Sequence, residues 1–308
     1  MFITYNKEQY TNSFTDNPIK STPAQLEMIK VLTQKDINYA LLIANHLACV
    51  DICQNYAPGI EIEPKTLIVP CYSEALNEFN TVQYSSKIEH FGDDIVINGT
   101  KSFIKGADRA THFMVFVGTM VKERNGKIYK RTSTVLVPAD ADGVTVNEDT
   151  DDFYNVEFED VEIEPQWVVG RVGYGVEYLN HLKNCQKLST SKIILTLMQD
   201  KYNRFKSIGG QMGERDATRE TVAKCHLDLI ALNSALEQVV SKKGFTFDGI
   251  QAELNCCPIM ARRLIKYDQQ FNQLRSEYNH ETDNDEKIIS GSRRTELKIT
   301  VELPDQNP

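Results

Sequence analysis

The chain has 308 residues, the length of two ordinary domains or one large one. Its 34 basic and 43 acidic side chains give a formal net charge of −9, which argues against a general nucleic-acid binder, since such a surface must be basic. With 41% hydrophobic and 25% charged residues, the composition is that of a globular protein that can bury a core. The longest apolar stretches, residues 40–44 and 193–198, are too short to span a bilayer, so no transmembrane segment is expected.

The N-terminal residues and the cysteines bear on the compartment. The first 20 residues carry two lysines, no arginine and no apolar run, which matches neither a signal peptide nor a clear transit peptide. The seven cysteines are odd in number and lack the spacing of a disulfide framework. We therefore expect a reducing compartment or mostly free thiols.

The first part of the chain has helical spacing. Apolar residues recur at helical intervals from Pro23 to about Asn55, with a new stripe starting after Asp36. Pro58-Gly59 ends the pattern.

The middle of the chain, from Pro64 to Val168, has the character of strands. The spacing predicts six or seven short strands in an antiparallel sandwich or barrel. The β-branched or aromatic runs are Thr66–Val69, Ile95–Ile97, His112–Val117, Ser133–Val137, Val144–Val146 and Val156–Phe158. Turn signals between them are Gly92-Asp93-Asp94, Asn98-Gly99, Asn125-Gly126 and Asp142-Gly143.

The last part is helical again. Helices are predicted through residues 178–197, 222–240 and 259–274, with a loop at Ser207–Gly213. Residues 280–287 are predicted to be an acidic linker, and residues 296–303 alternate like a strand with no evident partner. The chain is therefore predicted to be an α+β protein. Its predicted parts are a helical region (1–63), a β domain (64–168), a helical bundle (169–279), and a linker with a tail strand (280–308).

Two motifs have a chemical and a structural interpretation. His46, Cys49 and Cys53 share one helical face, but no fourth ligand is evident, so a buried structural face is favoured and no metal site is predicted. Gly170, Gly173 and Gly175 precede a helix in an order opposite to the dinucleotide-binding fingerprint, and they follow a β region without βαβ units.

Three stretches of the β region resemble the middle domain of acyl-CoA dehydrogenases. The first is residues 97–104, and the second is residues 111–119 with 134–137 and 142–144. The third is residues 156–161 with Pro165, followed by Val169-Gly170 and Gly173-Tyr174-Gly175. Their spacing is similar to that of the very-long-chain branch. The resemblance implies an acyl-CoA dehydrogenase-like fold with a reduced N-terminal helical region, a central β-barrel or sandwich and a shortened bundle. It also implies chemistry that uses FAD and a glutamate base.

The flavin contacts that the resemblance implies are largely replaced in this chain. Ile68 and Val69 stand where side-chain hydrogen bonds to the flavin are expected. Glu74 replaces a neutral hydroxyl and would bring an unpaired charge towards the thioester site. Phe103, Lys105 and Arg204 are the positions that could still contact FAD. We expect no bound cofactor, with FAD as the alternative.

The catalytic glutamate that the resemblance implies has no match. Its alternative early position falls at about Cys185, which is no general base of suitable pKa. No catalytic residue is therefore predicted. The expected function is an acyl-CoA dehydrogenase-like pseudoenzyme that serves as a structural or assembly subunit, in a mitochondrial respiratory complex by analogy.

Two other functions stay open. One is an active FAD-dependent acyl-CoA dehydrogenase of fatty-acid β-oxidation with relocated groups, such as Lys105 and Glu74. The other is a protein that binds acyl-CoA without oxidising it. Protein partners are expected as a homo- or hetero-oligomer through the bundle, and residues 296–303 could add a strand to a partner's sheet.

Overall fold

The computed structural model describes residues 22–75, 84–91, 94–124, 127–150, 152–209 and 216–241, with individual positions between 259 and 273. The chain divides into two compact units, residues 1–29 with 36–189 and residues 30–35 with 190–308. The predicted order of helices, strands and helices is confirmed. The predicted boundaries at residues 63, 168 and 279 stay predictions.

Two helices precede the sheet within the part of the chain that the structure describes. Helix α1 is Thr22–Thr33 and helix α2 is Ile37–Tyr56. The predicted break falls at Asp36, whose carboxylate accepts a hydrogen bond of 3.1 Å from the backbone amide of Tyr39 and so caps α2. The cap satisfies an amide that the first turn of a helix leaves unpaired.

A seven-stranded sheet forms most of the first unit. The strands are β1 (Ile68–Cys71), β2 (Lys87–Phe91), β3 (Asp94–Lys105), β4 (His112–Arg124), β5 (Lys127–Pro138), β6 (Val144–Thr150) and β7 (Phe153–Ile163). Their order is β1-β4-β2-β3-β7-β6, with β5 also paired to β4. The predicted central β domain is confirmed.

Strand direction differs from the prediction in two places. Among the described strands, β1 and β2 both pair with β4 in parallel, whereas the other four pairings are antiparallel. The predicted antiparallel sandwich or barrel therefore contains two parallel pairings, both at β4. The residue types of a strand indicate its burial and not the direction of the neighbouring strand. Parallel pairing of β1 with β4 also needs a long connection between the two strands, which the local sequence does not reveal. Strand β2 was also not predicted, since its sequence mixes two apolar positions with charged ones.

The predicted turn at Asn98-Gly99 is wrong. Both residues lie inside β3, where the register against β7 shifts between Ile97 and Gly99. The Asn98 side chain bonds both the backbone amide and the carboxylate of Asp160 on β7, at 2.8 and 2.9 Å. The Asn-Gly pair therefore makes a bulge that bends a long strand and not the end of a hairpin.

The sheet buries both of its faces along β1 and β4. In β4, Phe113, Val115 and Val117 join a core with residues of β3 and β7, while Met114 and Phe116 join a second core with α2 and the helix that follows the sheet. A strand buried on both faces reads as a continuous apolar run, which is the pattern of residues 113–117. The curled sheet thus has one core inside it and one under the helices.

Two long helices are described after the sheet. Helix α3 is Gly175–Gly209, with its first fifteen residues in the first unit, and α4 is Asp216–Ser241. The predicted loop at Ser207–Gly213 begins too early, because α3 continues through Gly209. Described positions between 259 and 273 are helical, as predicted. The predicted linker (280–287) and tail strand (296–303) lie outside the described residues. None of the described helices is long and apolar enough to cross a membrane.

The glycine run before α3 has a packing role. Gly170 has φ +68°, and a Cβ there would lie 2.3 Å from the Tyr178 hydroxyl. A Cβ on Gly175 would lie 2.8 Å from the backbone of Thr132 on β5. These glycines therefore let the chain turn closely past the sheet into α3. Their packing role is the structural interpretation of the glycine run and not the dinucleotide-binding one.

Replacing Gly99 by alanine is predicted to destabilise the first unit. Gly99 has φ +136°, and a Cβ would lie 2.5 Å from the Cα of Ser86. We expect Gly99→Ala to lower the free energy of unfolding by more than about 1 kcal/mol in denaturant titrations. The control is Gly59→Ala, where a Cβ meets nothing within 4 Å and the change should stay within about 0.5 kcal/mol. Equal effects of the two substitutions would contradict this assignment.

Candidate functional site

The three residues predicted to contact a cofactor lie on different elements. Phe103 and Lys105 are half-buried on β3 in the first unit, and Phe103 has a positive φ of 60°. The Lys105 ammonium donates a 2.8 Å hydrogen bond to the side-chain oxygen of Asn38 on α2. Arg204 is exposed on α3 in the second unit. Their roles toward FAD stay predictions.

Ile68 and Val69 are both fully buried in β1. Ile68 packs in the core under the helices and Val69 in the core inside the sheet. Neither side chain carries a hydrogen-bonding group. The positions that the resemblance assigns to polar flavin contacts are therefore hydrocarbon in this chain.

Glu74 is the centre of a closed polar cluster. Its carboxylate forms an ion pair of 2.8 Å with the Lys101 ammonium, and the two side chains are only 3% and 0% exposed. The Oε2 atom accepts from the backbone amide and hydroxyl of Ser85 at 2.7 and 2.6 Å. The Oε1 atom also accepts from the backbone amide and hydroxyl of Ser86. Five donors thus fill the acceptor positions of one carboxylate.

The Lys101 ammonium has a further contact within the same cluster. Its Nζ lies 3.8 Å from the centroid of the Tyr84 ring, in a cation–π arrangement. Tyr84 is buried, and its hydroxyl has no hydrogen-bond partner among the described residues. The cluster therefore joins the segment after β1, the segment before β2, and β3 through one buried charge pair.

The ion pair keeps Glu74 ionised. Burial by itself raises the pKa of the Glu74 carboxyl, but the Lys101 charge and the hydrogen bonds from Lys101, Ser85 and Ser86 outweigh it and lower the pKa to about 2. A carboxylate with so low a pKa and with every acceptor position filled is a poor proton acceptor.

The structure corrects one expectation about Glu74. Its charge was expected to be unpaired, but Lys101 pairs it. The same geometry argues against Glu74 as a relocated general base, because its oxygens are buried and already bonded.

The residues present do not fit the flavin contacts that the resemblance implies. A flavin ring needs donors and acceptors at its carbonyl and nitrogen atoms. The chain has hydrocarbon at Ile68 and Val69, a closed ion pair at Glu74, and a lysine engaged by Asn38 at position 105. We therefore derive no chemical step through FAD.

His46, Cys49 and Cys53 form a buried face of α2, as favoured by the sequence. All three are buried, and the His46 Nδ1 atom accepts a 3.1 Å hydrogen bond from the backbone amide of Ile68. Burial lowers the pKa of His46 to about 4, so the imidazole is neutral. This histidine joins α2 to β1.

A different polar group lies where α2 faces α3. One ligand-type atom from each of Asp51, His181 and Cys185 lies within 4.8 Å of the other two. His181 Nε2 is 2.6 Å from a carboxylate oxygen of Asp51. Hydrogen bonds from the imidazole to Asp51 and to Cys185, together with the charges of these two groups, raise the pKa of His181 to about 10 despite its partial burial. The sequence analysis reached Cys185 only through the family resemblance.

The residues that the sequence analysis missed share one property. Lys101 and His181 each depend on a partner far away in sequence, Glu74 and Asp51 respectively. A signal existed for His181, since it stands four residues before Cys185 on a predicted helix. Lys101 had no comparable local signal.

The fold is that of the acyl-CoA dehydrogenases. Residues 73–161 match the family described as acyl-CoA dehydrogenase, middle domain. This match lies within the predicted β domain, and the structural neighbours show the same fold.

Solved structures show the same fold over most of the chain. Butyryl-CoA dehydrogenase from Megasphaera elsdenii is 15% identical with a TM-score of 0.70, covering 80% of this chain and 70% of that one. Acyl-CoA dehydrogenase from Geobacillus kaustophilus is 14% identical with a TM-score of 0.74, covering 91% and 82%. KijD3, solved with FMN and a dTDP-linked amino-keto sugar, is 14% identical with a TM-score of 0.63, covering 83% and 70%.

Removing one partner of the buried pair is predicted to cost more stability than removing both charges. Lys101→Met leaves the Glu74 carboxylate buried without its counter-ion, and we expect the free energy of unfolding to fall by about 3–5 kcal/mol. The control is Glu74→Gln combined with Lys101→Met, which leaves no buried charge and should cost less. Chemical denaturation measures both.

The pH dependence of the same variants is a second measurement. Because folding lowers the pKa of Glu74 to about 2 from its ordinary 4.5, its contribution is present above pH 4.5 and is lost as the pH falls through 2. The double variant should lack this component of the acid-induced loss of stability. A double variant as unstable as Lys101→Met, with an unchanged pH profile, would contradict the role of the pair.

Proposed function

We propose that this chain is a divergent member of the very-long-chain-like branch of acyl-CoA dehydrogenases that has lost catalysis and serves as a structural or assembly subunit. The observation that carries this proposal is the buried Glu74–Lys101 pair, held by Ser85 and Ser86. Glu74 stands where the resemblance expects a polar group that contacts the flavin. Here its carboxylate is buried, and its oxygens are bonded within the protein. An ion pair of this kind organises the sheet and offers no group to a substrate.

The absence of a matching base supports the same proposal. The early position of the family's glutamate falls at about Cys185, so a thiol stands where the carboxylate base is expected. The neighbouring carboxylate, that of Asp51, is hydrogen-bonded to His181. Gln186 is engaged by the side-chain oxygen of Asn45 at 2.9 Å. Among the described residues, the polar flavin contacts expected at Ile68 and Val69 and the carboxylate expected near Cys185 are thus replaced by other side chains.

Exposed apolar residues on the second unit support a protein partner. Leu227 and Ile230, three residues apart on α4, are 65% and 52% exposed. Neighbouring apolar side chains on one face of a surface helix are typical of contact surfaces. We place this partner in a homo- or hetero-oligomer formed through the bundle, and the complex in the mitochondrion by analogy with the family.

Mutation of this face is predicted to separate the chain from its partner. We expect Leu227→Asp with Ile230→Asp to reduce the assembly size measured by light scattering, or the recovery of cross-linked partners from mitochondria. The control is Glu237→Gln, an exposed substitution on the same helix. Retention of the same assembly by the double variant would contradict an interface at this face.

The absence of dehydrogenase chemistry is tested by the purified full-length chain. We expect no absorbance in the flavin bands, no FAD released on acid denaturation, and no electron-acceptor reduction with long-chain acyl-CoA after FAD is added. Stoichiometric FAD together with turnover would contradict the proposal. A rise in Tm with acyl-CoA but not with FAD would favour the acyl-CoA-binding alternative.

A further inference from the structure

Helices α2 and α3 carry a polar cluster that the proposed function does not use. Asp51 lies on α2, and His181 and Cys185 lie on α3, four residues apart and therefore on one face of that helix. The cluster combines a carboxylate, an imidazole and a thiol, the three kinds of side chain that bind zinc in proteins. All three belong to the first compact unit.

We propose that Asp51, His181 and Cys185 bind a zinc ion. Zinc takes sulfur at about 2.3 Å and nitrogen or oxygen at about 2.0–2.2 Å, so tetrahedral ligand atoms lie roughly 3.3–3.7 Å apart. The candidate atoms lie within 4.8 Å of one another, and His181 Nε2 and Asp51 Oδ2 are 2.6 Å apart. Zinc binding replaces the His181–Asp51 hydrogen bond, and these two atoms then move apart to the spacing of ligands around one ion.

The choice of zinc follows from the ligand types. Thiolate and imidazole select zinc among the common ions, whereas magnesium and calcium prefer all-oxygen ligands. Three protein ligands leave the fourth tetrahedral position to water or to a ligand from solution. The site is therefore of the open kind and not of the closed four-ligand structural kind.

Tyr56 holds the imidazole in the orientation that the ion needs. Its hydroxyl lies 3.3 Å from His181 Nδ1, and its ring contacts the imidazole edge-on at 5.6 Å between centroids. In the metal-free chain the Nε2–H donates to Asp51, and zinc takes the place of that proton. With Nδ1–H donating to the Tyr56 hydroxyl, Nε2 is then the ring nitrogen that binds the ion. Tyr56 is itself packed against the Tyr178 ring at 4.5 Å.

The cluster is accessible to an ion from solution. The side chains of His181 and Asp51 are 29% and 37% exposed, and Cys185 is half-buried. The other histidine–cysteine face, on α2, is neither accessible to solvent nor free to bind an ion through its histidine Nδ1. His46, Cys49 and Cys53 are buried, and His46 Nδ1 already accepts a backbone hydrogen bond.

Cobalt substitution of the full-length chain tests the site. After removal of metals with a chelator, we expect one equivalent of Co²⁺ to give tetrahedral d–d bands and a thiolate-to-cobalt charge-transfer band, both lost when Zn²⁺ displaces it. Cys185→Ser should abolish the charge-transfer band and weaken Zn²⁺ binding by more than about 100-fold, because loss of a ligand exceeds the loss of a supporting contact. Tyr56→Phe should weaken binding about 10–100-fold and keep the band.

The controls separate this site from adventitious binding. Glu177→Gln removes an exposed carboxylate one turn before His181 and should bind Zn²⁺ like the parent chain. Circular dichroism checks the fold of each variant. In the parent chain, Zn²⁺ should also protect Cys185 from iodoacetamide, as mapped by mass spectrometry, which needs no variant.

Two results would overturn the proposal. One is a parent chain without a thiolate-to-cobalt band, and the other is a folded Cys185→Ser variant that keeps the band, which would place the metal on another cysteine. Neither result depends on flavin or acyl-CoA binding, so the zinc site and the proposed function can fail separately.

Discussion

One buried ion pair, between a carboxylate and an ammonium, determines how three segments of the first unit meet. Glu74 follows β1, Ser85 and Ser86 precede β2, and Lys101 lies in β3. Taking two charges out of water costs several kcal/mol per ion unless the geometry and hydrogen bonds are complete. The two serines complete them, and Gly99 permits the close approach of β3 to Ser86. The position of β2 against β3 is therefore tied to this one charge pair.

This constraint also supports the proposal that the fold has been kept without the family's chemistry. The fold requires only that the sheet curl around one core and that helices cover the other, and apolar residues at Ile68 and Val69 meet both needs. Catalysis requires in addition that polar groups stay open toward a ligand. At position 74 the chain has a polar group but closes it with five hydrogen bonds. Stability and catalysis make opposite demands on such a buried carboxylate.

The sequence predicted what depends on local pattern. Helices α1 and α2, their separation at Asp36 and the strand content of the middle region follow from periodicity and capping. The parallel pairings of β4 and the bulge at Gly99 were missed, because residue types do not encode the direction of a neighbour, and Asn-Gly suits a bulge as well as a turn. The pairs Glu74–Lys101 and Asp51–His181 join residues 27 and 130 positions apart, which no local pattern reports.

The pairing of β3 with β7 has a consequence for synthesis. The register joins Ile95 to Ile163 and Lys105 to Phe153, so β3 cannot find this neighbour until roughly sixty further residues have left the ribosome. In that interval β2 can pair with one edge of β3, while the other edge exposes unpaired backbone hydrogen-bonding groups. Contacts so distant along the chain slow folding. The nascent first unit should therefore be a client for chaperones until β7 is complete.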